Sequence, residues 1–379
     1  MILDGLLNVL TLLAILVGLV LIHELGHFVM ARRAGVRVHE FGIGFPPRAA
    51  VLYRGKETLY SLNWLPIGGF VRLEGEEGES ADRRAFVNQS LPTRLRILVA
   101  GVVVNFVLAW VIFTLIAMLA DPVANVRIGA VEARSPAERA GLVGGWAFYV
   151  PREGVQFDET GDLITAIDGQ RFPVLDGVGA SAEGGILRPA PLQYLADRAG
   201  QTVTLTVRHA DGSEALAEAT LRSRAEVGQS RGALGVRIVA MPQEDITRGP
   251  LEAAGVGMAR TLEASTLILR GVGELITNLA DPPVAGPIGI VGIVGDVRTE
   301  LPPVFLVWLI GLLSANLAVI NALPFPPMDG GRVAVALVQA ASRNRVSPAT
   351  ERMVYLTGFV MLMALLVWVT AQDIGRLVG

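Results

Sequence analysis

Four stretches of this chain are apolar over lengths that match the interior of a lipid bilayer: residues 5–31, 97–120, 303–323 and 353–371. A hydrocarbon core about 30 Å thick takes about 20 apolar residues of helix, and inside it every backbone polar group must be satisfied by its own segment or by protein around it. The fold class expected is therefore a polytopic α-helical membrane protein with four transmembrane helices. Of the 379 residues, 52% are hydrophobic, the mean hydropathy is +0.51, and the charges gather outside the four runs. A net charge of −3 argues against a nucleic-acid partner. Cysteine is absent, which excludes disulfides, thiolate nucleophiles and Cys-ligated zinc. The first run lacks a basic leader and a small-residue cleavage site, so it reads as a retained span rather than a signal peptide.

Topology follows from the arginines. Residues 32–96 carry eleven basic side chains from Arg32 to Arg96 close to two span ends, which marks the segment as cytoplasmic. The connection 324–352, with Arg332, Arg343, Arg345 and Arg352, is cytoplasmic on the same ground. The N-terminus and the long loop 121–302 are then outside. A fifth apolar-rich segment, 251–280, contains Glu252, Arg260, Glu263, Arg270 and Glu274; its charges separate onto one face, which suits an interfacial helix better than a span.

Within the outer loop, 126–142 reads as a strand, a tight loop and a short helix. Residues 161–172 read as a buried strand ending in an Asp-Gly turn, 191–200 as a helix, and 202–221 as a hairpin with an Asp-Gly-Ser turn. This order resembles a single PDZ domain, α+β in class, with 175–190 as a loop. Near the first span, 38–73 reads as a strand, a turn at Gly55, a second strand, a Gly-containing loop and a third strand. It is apolar enough to touch or enter the membrane. The expected domains are 1–120, an N-terminal membrane core including the β segment 38–73; 121–225, the PDZ domain; 226–302, a linker with the amphipathic helix; and 303–379, a C-terminal membrane core.

The first span contains HELGH, residues 23–27. Ionisable side chains inside a bilayer are costly and mark function by default. His23 and His27 stand at i and i+4 on one helix face, so both imidazoles can reach one ion, and Glu24 beside them can hold and deprotonate a metal-bound water. The bland reading, a pair of structural histidines bonded between helices, leaves Glu24 without a role. Two imidazoles leave a catalytic Zn2+ one protein ligand short. Asp329 can supply it, because it follows Pro324, Pro326 and Pro327 at a span end, and broken helix at membrane depth is tolerated where it lines a cavity. Its bland reading is a carboxylate in headgroup water. His23 lies nine residues before Arg32, roughly 13 Å from the cytoplasmic helix end at about 1.5 Å per residue. Asp329 reaches that level only if 251–280 does not cross. His39 and His209 read as solvated.

With HELGH in a first span, a PDZ-like domain outside and NxxPxPxxDGG in a late span, the chain resembles the site-2 protease family, the M50-type intramembrane zinc metalloproteases, in the group that regulates sigma factors. His23, Glu24 and His27 match that family's HExxH; Asp329 matches the Asp of its (L/M)DG motif; Asn316, Asn321, Pro324 and Pro326 match the residues before it. "PIGGFV" from Pro66 is similar to the family's PLGGYV segment, and "AGVVVN", ending at Asn105, to AGPxxN without its Pro. The single PDZ copy resembles the Gram-positive branch. The resemblance implies a multi-pass protein of the bacterial inner membrane that hydrolyses peptide bonds within transmembrane segments. Its substrates would be single-span proteins such as trimmed anti-sigma factors, and remnant signal peptides. It implies Glu24 as general base, His23, His27 and Asp329 as zinc ligands, and Asn321 and Asn316 as substrate-binding residues. The segment 50–73 could offer an edge strand that captures the unwound substrate by strand addition; the bland counterparts are a surface hairpin there and a helix-packing role for Asn321. The PDZ domain would filter substrates by size, bind a C-terminal peptide or pack on the core. The alternative from a different class is a catalytically inactive membrane scaffold.

Overall fold

A computed structural model describes residues 2–76, 80–150, 154–176, 190–227, 232–277, 286–342 and 347–378. Most of the expected loop 175–190, and Arg343 and Arg345, lie outside the described residues. The chain divides into two compact units, one made of Met1–Leu115 and Ala254–Gly379, the other of Ile116–Ala253.

In the first unit, helix α1 (Ile2–Arg33) is followed by strands β1 (Val38–Arg54) and β2 (Leu59–Leu73) and helix α2 (Leu91–Leu119). The two strands differ from the expected three. β1 doubles back around Phe45–Arg48 and β2 around Asn63–Gly68, where the Gly-containing loop was expected, so the hairpin folds into four segments. Residues 40–43 face 69–72 on one side and 59–62 on the other, and 50–54 pair with the far side of 59–62. The ladder is interrupted at this bend, where Pro46 and Pro47 lack an N–H and have no paired residue. Phe28 of α1 meets Phe41 edge-on with ring centroids 5.5 Å apart, holding the hairpin against the helix. The outward side carries Phe45, Leu52, Tyr53, Trp64 and Leu65, all exposed, as a surface facing lipid would.

The second unit holds β3 (Asp121–Ala124), β4 (Val126–Val131), α3 (Pro136–Arg139), β5 (Ala147–Val150), β6 (Gly154–Phe157), β7 (Leu163–Ile167), α4 (Ala190–Asp197), β8 (Thr202–Arg208), β9 (Glu214–Thr220), β10 (Val236–Ala240) and β11 (Gln243–Ile246). Its main sheet runs β10-β4-β7-β8-β9 with antiparallel neighbours. Ile128, Ile167, Val203, Leu205 and Val207 form the core beneath it. α3 opens with a reciprocal cap: Ser135 Oγ accepts from the Glu138 N–H at 3.1 Å, and the Glu138 carboxylate accepts from the Arg134 N–H at 2.5 Å. The expected boundary at 225 is too early. β10 adds to the free side of β4, β11 pairs with β3, and the Arg248–Asp121 ion pair ties the end of the unit to its start.

The chain returns to the first unit through α5 (Pro250–Thr277), α6 (Pro287–Glu300), α7 (Pro303–Ala322), α8 (Asp329–Ala341) and α9 (Pro348–Val378). Among the described residues, four helices are long and apolar enough to cross a membrane: α1, α2, α7 and α9. Each includes most or all of an expected run; α1, α2 and α9 extend beyond it at one or both ends, because polar end residues continue the helix past the apolar stretch, whereas α7 stops one residue short of it. α5 is not among the four. α6 falls where linker was expected; it packs on α1 and α9, and Asp373 of α9 accepts from the N–H groups of Gly286 and Gly289 at its start.

Candidate metal centre

The i, i+4 spacing stacks His23 and His27 on one face of α1, both buried, with ring centroids 4.7 Å apart. The third group arrives from about three hundred residues away. α7 stops at Ala322, and α8 starts at Asp329 after the three prolines. The return is too tight for side chains just beyond it. A Cβ at Gly330 would collide with the carbonyl oxygens of Ala322 and Leu323, and one at Gly331 would lie 2.6 Å from the Pro326 nitrogen. Asp329 also sits in the first turn of α8, where the helix dipole favours an anion. Its Oδ2 is 2.9 Å from His23 Nε2 and 3.1 Å from His27 Nε2, and the two Nε2 atoms are 3.1 Å apart.

Hydrogen bonding between neutral imidazoles and a carboxylate does not account for this cluster. His27 Nδ1 is 2.8 Å from the carbonyl oxygen of Ile97. A carbonyl only accepts, so Nδ1 carries the proton and Nε2 of the neutral ring is a bare lone pair. That lone pair faces a carboxylate oxygen and a second imidazole nitrogen. Acceptors converging in this way repel one another unless they share a proton or a metal cation. Tetrahedral coordination at bond lengths of about 2.0–2.1 Å separates ligand atoms by about 3.3 Å, close to the spacing found. Two imidazoles and a carboxylate, with a fourth position for water, are a donor set suited to zinc.

α2 forms the adjoining wall. A Cβ at Gly101 would lie 2.5 Å from His27 Nε2 and 2.6 Å from His23 Cε1, and one at Gly26 would lie 2.8 Å from the Ala100 carbonyl oxygen. The two helices can approach this closely only without side chains there. Asn105, fully buried, places its amide nitrogen 3.4 Å from His23 Nδ1, while its own Oδ1 has no hydrogen-bond partner among the described residues. A half-turn of the amide exchanges the two atoms. Oδ1 then accepts from Nδ1–H and leaves His23 Nε2 bare as well. Ser314 of α7 donates to the Asn105 carbonyl at 2.8 Å, which joins α7 to the same wall.

Glu24 is half-buried beside the trio and makes none of its contacts. The hairpin passes next to it: a Cβ at Gly69 would lie 3.8 Å from Glu24 Cγ and 3.0 Å from Leu21 Cδ2. The two expected asparagines are not drawn into the cluster. Asn321 donates to the Leu317 carbonyl one turn earlier at 3.0 Å, and Asn316 Oδ1 is buried without a hydrogen-bond partner among the described residues. The Ile97 carbonyl and the open face at Gly101 were missed from sequence. Gly101 lies in the quoted AGVVVN stretch, where a glycine inside an apolar helix was the available signal; a backbone carbonyl leaves none. His39 and His209 are not merely solvated. His39 Nε2 lies 2.5 Å from Glu74 Oε2, and His209 Nδ1 lies 2.7 Å from Asp162 Oδ1. The Ser80 hydroxyl, then His39, hold the Glu74 carboxyl below its usual range.

The model of peptidase family M50 matches residues 11–365. A candidate zinc metalloprotease of Clostridium perfringens is 31% identical over 359 residues, covering 94% of this chain and 95% of its own. A second, of Clostridium acetobutylicum, is 30% identical over 357 residues and covers 94% of each chain. A Geobacillus kaustophilus protein named zinc metalloprotease RasP is 26% identical over 451 aligned residues, covering 97% of this chain and 98% of its own.

Proposed function

The chain belongs to peptidase family M50, and from that premise we propose that it is a site-2 type zinc metalloprotease that cuts peptide bonds within the membrane-spanning segments of other proteins. The observation that carries this reading is the meeting of His23, His27 and Asp329, from helix α1 and the start of α8, in a chain with four membrane-length helices. His23, His27 and Asp329 would hold zinc, which when bound would supply a Lewis acid for the scissile carbonyl and lower the pKa of water. Glu24, next to the trio but outside it, takes the proton from the attacking water and returns it to the leaving nitrogen.

A substrate helix hides its carbonyls in its own hydrogen bonds and must unwind to be cut. The folded hairpin supports capture of the unwound chain. Its inner segments 40–43 and 59–62 are paired on both sides, which leaves 50–54 and 69–73 as edges. The 69–73 edge is the one beside Glu24 and is the place for strand addition. The free Oδ1 of Asn316 suits a substrate N–H, whereas Asn321 must turn from Leu317 before it can bind one. Substrates are single-span proteins of the anti-sigma type, trimmed first outside, and remnant signal peptides. The five-stranded sheet and short helices of the second unit support the PDZ reading, and the arginine bias supports its location outside a bacterial inner membrane. The test is Glu24→Gln with a membrane-embedded substrate. Cleavage falls by about 10²–10⁴-fold with bound zinc retained; unchanged cleavage overturns the mechanism, and proteomics of the variant identifies the substrates as accumulated membrane stubs.

A further inference from the structure

On the side of α1 and α2 away from the hairpin's catalytic edge, the two helices leave an apolar groove of about 620 Å³. Leu25 and Val29 of α1 and Val99 and Val103 of α2 wall it, and all four are exposed. Its floor is the contact of Gly26 with Ala100, where the absence of a side chain at Gly26 keeps the groove closed below. At one end stand Arg33 and Arg96. Both are exposed, and neither has a hydrogen-bonding or acidic partner among the described residues. The other arginines near this end are engaged: Arg32 with Thr58, Arg37 with Asp82, Arg84 with Glu57, and Arg94 with Gln339.

The dimensions choose among occupants. From Leu25 to Arg33, and from Arg96 to Val104, the groove rises about 12 Å at about 1.5 Å per residue. That is close to one leaflet of a hydrocarbon core about 30 Å thick. A spanning helix is about 10 Å wide and needs the full thickness, so half of it would have no groove. A single acyl chain runs one leaflet deep, and its phosphate ends at the level of the helix termini, where the two unpaired guanidinium groups stand. Basic pockets between transmembrane helices are known to take anionic headgroups, and guanidinium pairs phosphate oxygens well.

We propose that this groove is a binding site for an anionic phospholipid, with one acyl chain against the Gly26–Ala100 floor and the phosphate held by Arg33 and Arg96. The floor adjoins Gly101, which faces the imidazole pair, so the lipid and the metal centre share one helix contact. The site is independent of the protein's substrate.

The test is native mass spectrometry of the full-length protein released from bilayers of equal phosphatidylglycerol and phosphatidylcholine. The wild type retains phosphatidylglycerol in preference by about tenfold or more. R33Q/R96Q brings the ratio to parity, and R33K/R96K keeps most of the preference. V99W/V103W, which fills the groove and leaves the arginines, loses retained lipid of both kinds. A preference unchanged in R33Q/R96Q overturns the proposal. Retention unchanged in V99W/V103W also overturns it, because the headgroup is then held without a seated chain. Displacement of the lipid by millimolar inorganic phosphate would make the site one for free phosphate, and photocrosslinking from Val99 to a peptide would make it a helix-docking face; either result overturns the lipid assignment.

Discussion

Of the three places where the described residues bring a histidine against a carboxylate, His209 with Asp162 and the His23–His27 pair with Asp329 differ most in what surrounds the contact. In the second unit, His209 Nδ1 meets Asp162 Oδ1 at 2.7 Å, with the imidazole partly exposed. In the first unit, two buried imidazoles share one oxygen of Asp329. His209 can donate its proton to the carboxylate and complete an ordinary hydrogen bond. A neutral His27 cannot, because its one proton is committed to the Ile97 carbonyl, and its free nitrogen points at the carboxylate oxygen and the second imidazole nitrogen. Proximity of histidine and carboxylate therefore does not make a metal site. A second donor and a backbone acceptor that fixes the tautomer distinguish the two cases.

The comparison can be broken most directly at Asp329. Asp329→Asn is expected to weaken zinc binding by more than the about 10–100-fold typical of losing a supporting hydrogen bond. Zinc content by elemental analysis after chelator challenge reads it, and the matching Asp162→Asn leaves zinc untouched. If both variants kept zinc equally, the distinction between the two regions would be wrong. Gly101→Val tests the wall. A Cβ there already lies within contact of both rings, so the variant loses zinc affinity and about 1–3 kcal/mol of stability through overpacking. Gly18→Ala in α1, with open space around the added carbon, serves as its near-neutral control in thermal unfolding. Asn105→Leu removes the amide that orients His23, and chelator competition should show zinc affinity lower by about 10–100-fold.

The smallest effect concerns His209. Its hydrogen bond and attraction to Asp162 raise its pKa above the ordinary value near 6.5. The pair's stabilisation is complete below that ordinary value and is lost as pH rises through the raised one. Unfolding of the wild type is expected to become easier over that window, and His209→Gln should remove this part of the slope while leaving bound zinc unchanged. A slope that survives the substitution would assign the pH dependence to other groups.

Much of the first unit was legible because the bilayer simplifies the code. Helices must satisfy their own backbone, so long apolar runs announce spans, and a histidine pair inside one announces a site. The reading was weaker where apolar patterning allows several outcomes. The segment 38–73 gave up its strands but not the doubling back of β1, because residues 45–54 are all exposed and carry no burial alternation that would fix their partner. α6 was lost among glycines and scattered charges; its helix depends on neighbours α1 and α9 and on Asp373 at its start. β10 lay beyond the boundary set at 225 because a strand that completes a sheet edge is recognised by its partner, not by its own five residues.

By itself the sequence determined that this chain crosses a membrane, and it named the two histidines, the glutamate and the distant aspartate from which a zinc site can be built. Local spacing and the cost of burying ionisable groups are properties of short segments, and they are written there. Only the tertiary structure decided that Asp329 meets both imidazoles, that Ile97 fixes the proton on His27, and that Gly101 leaves room for the rings. It also decided that Asn321 turns back to its own helix. Those outcomes depend on how α1, α2, α7 and α8 approach one another, and packing between distant segments has no local signature.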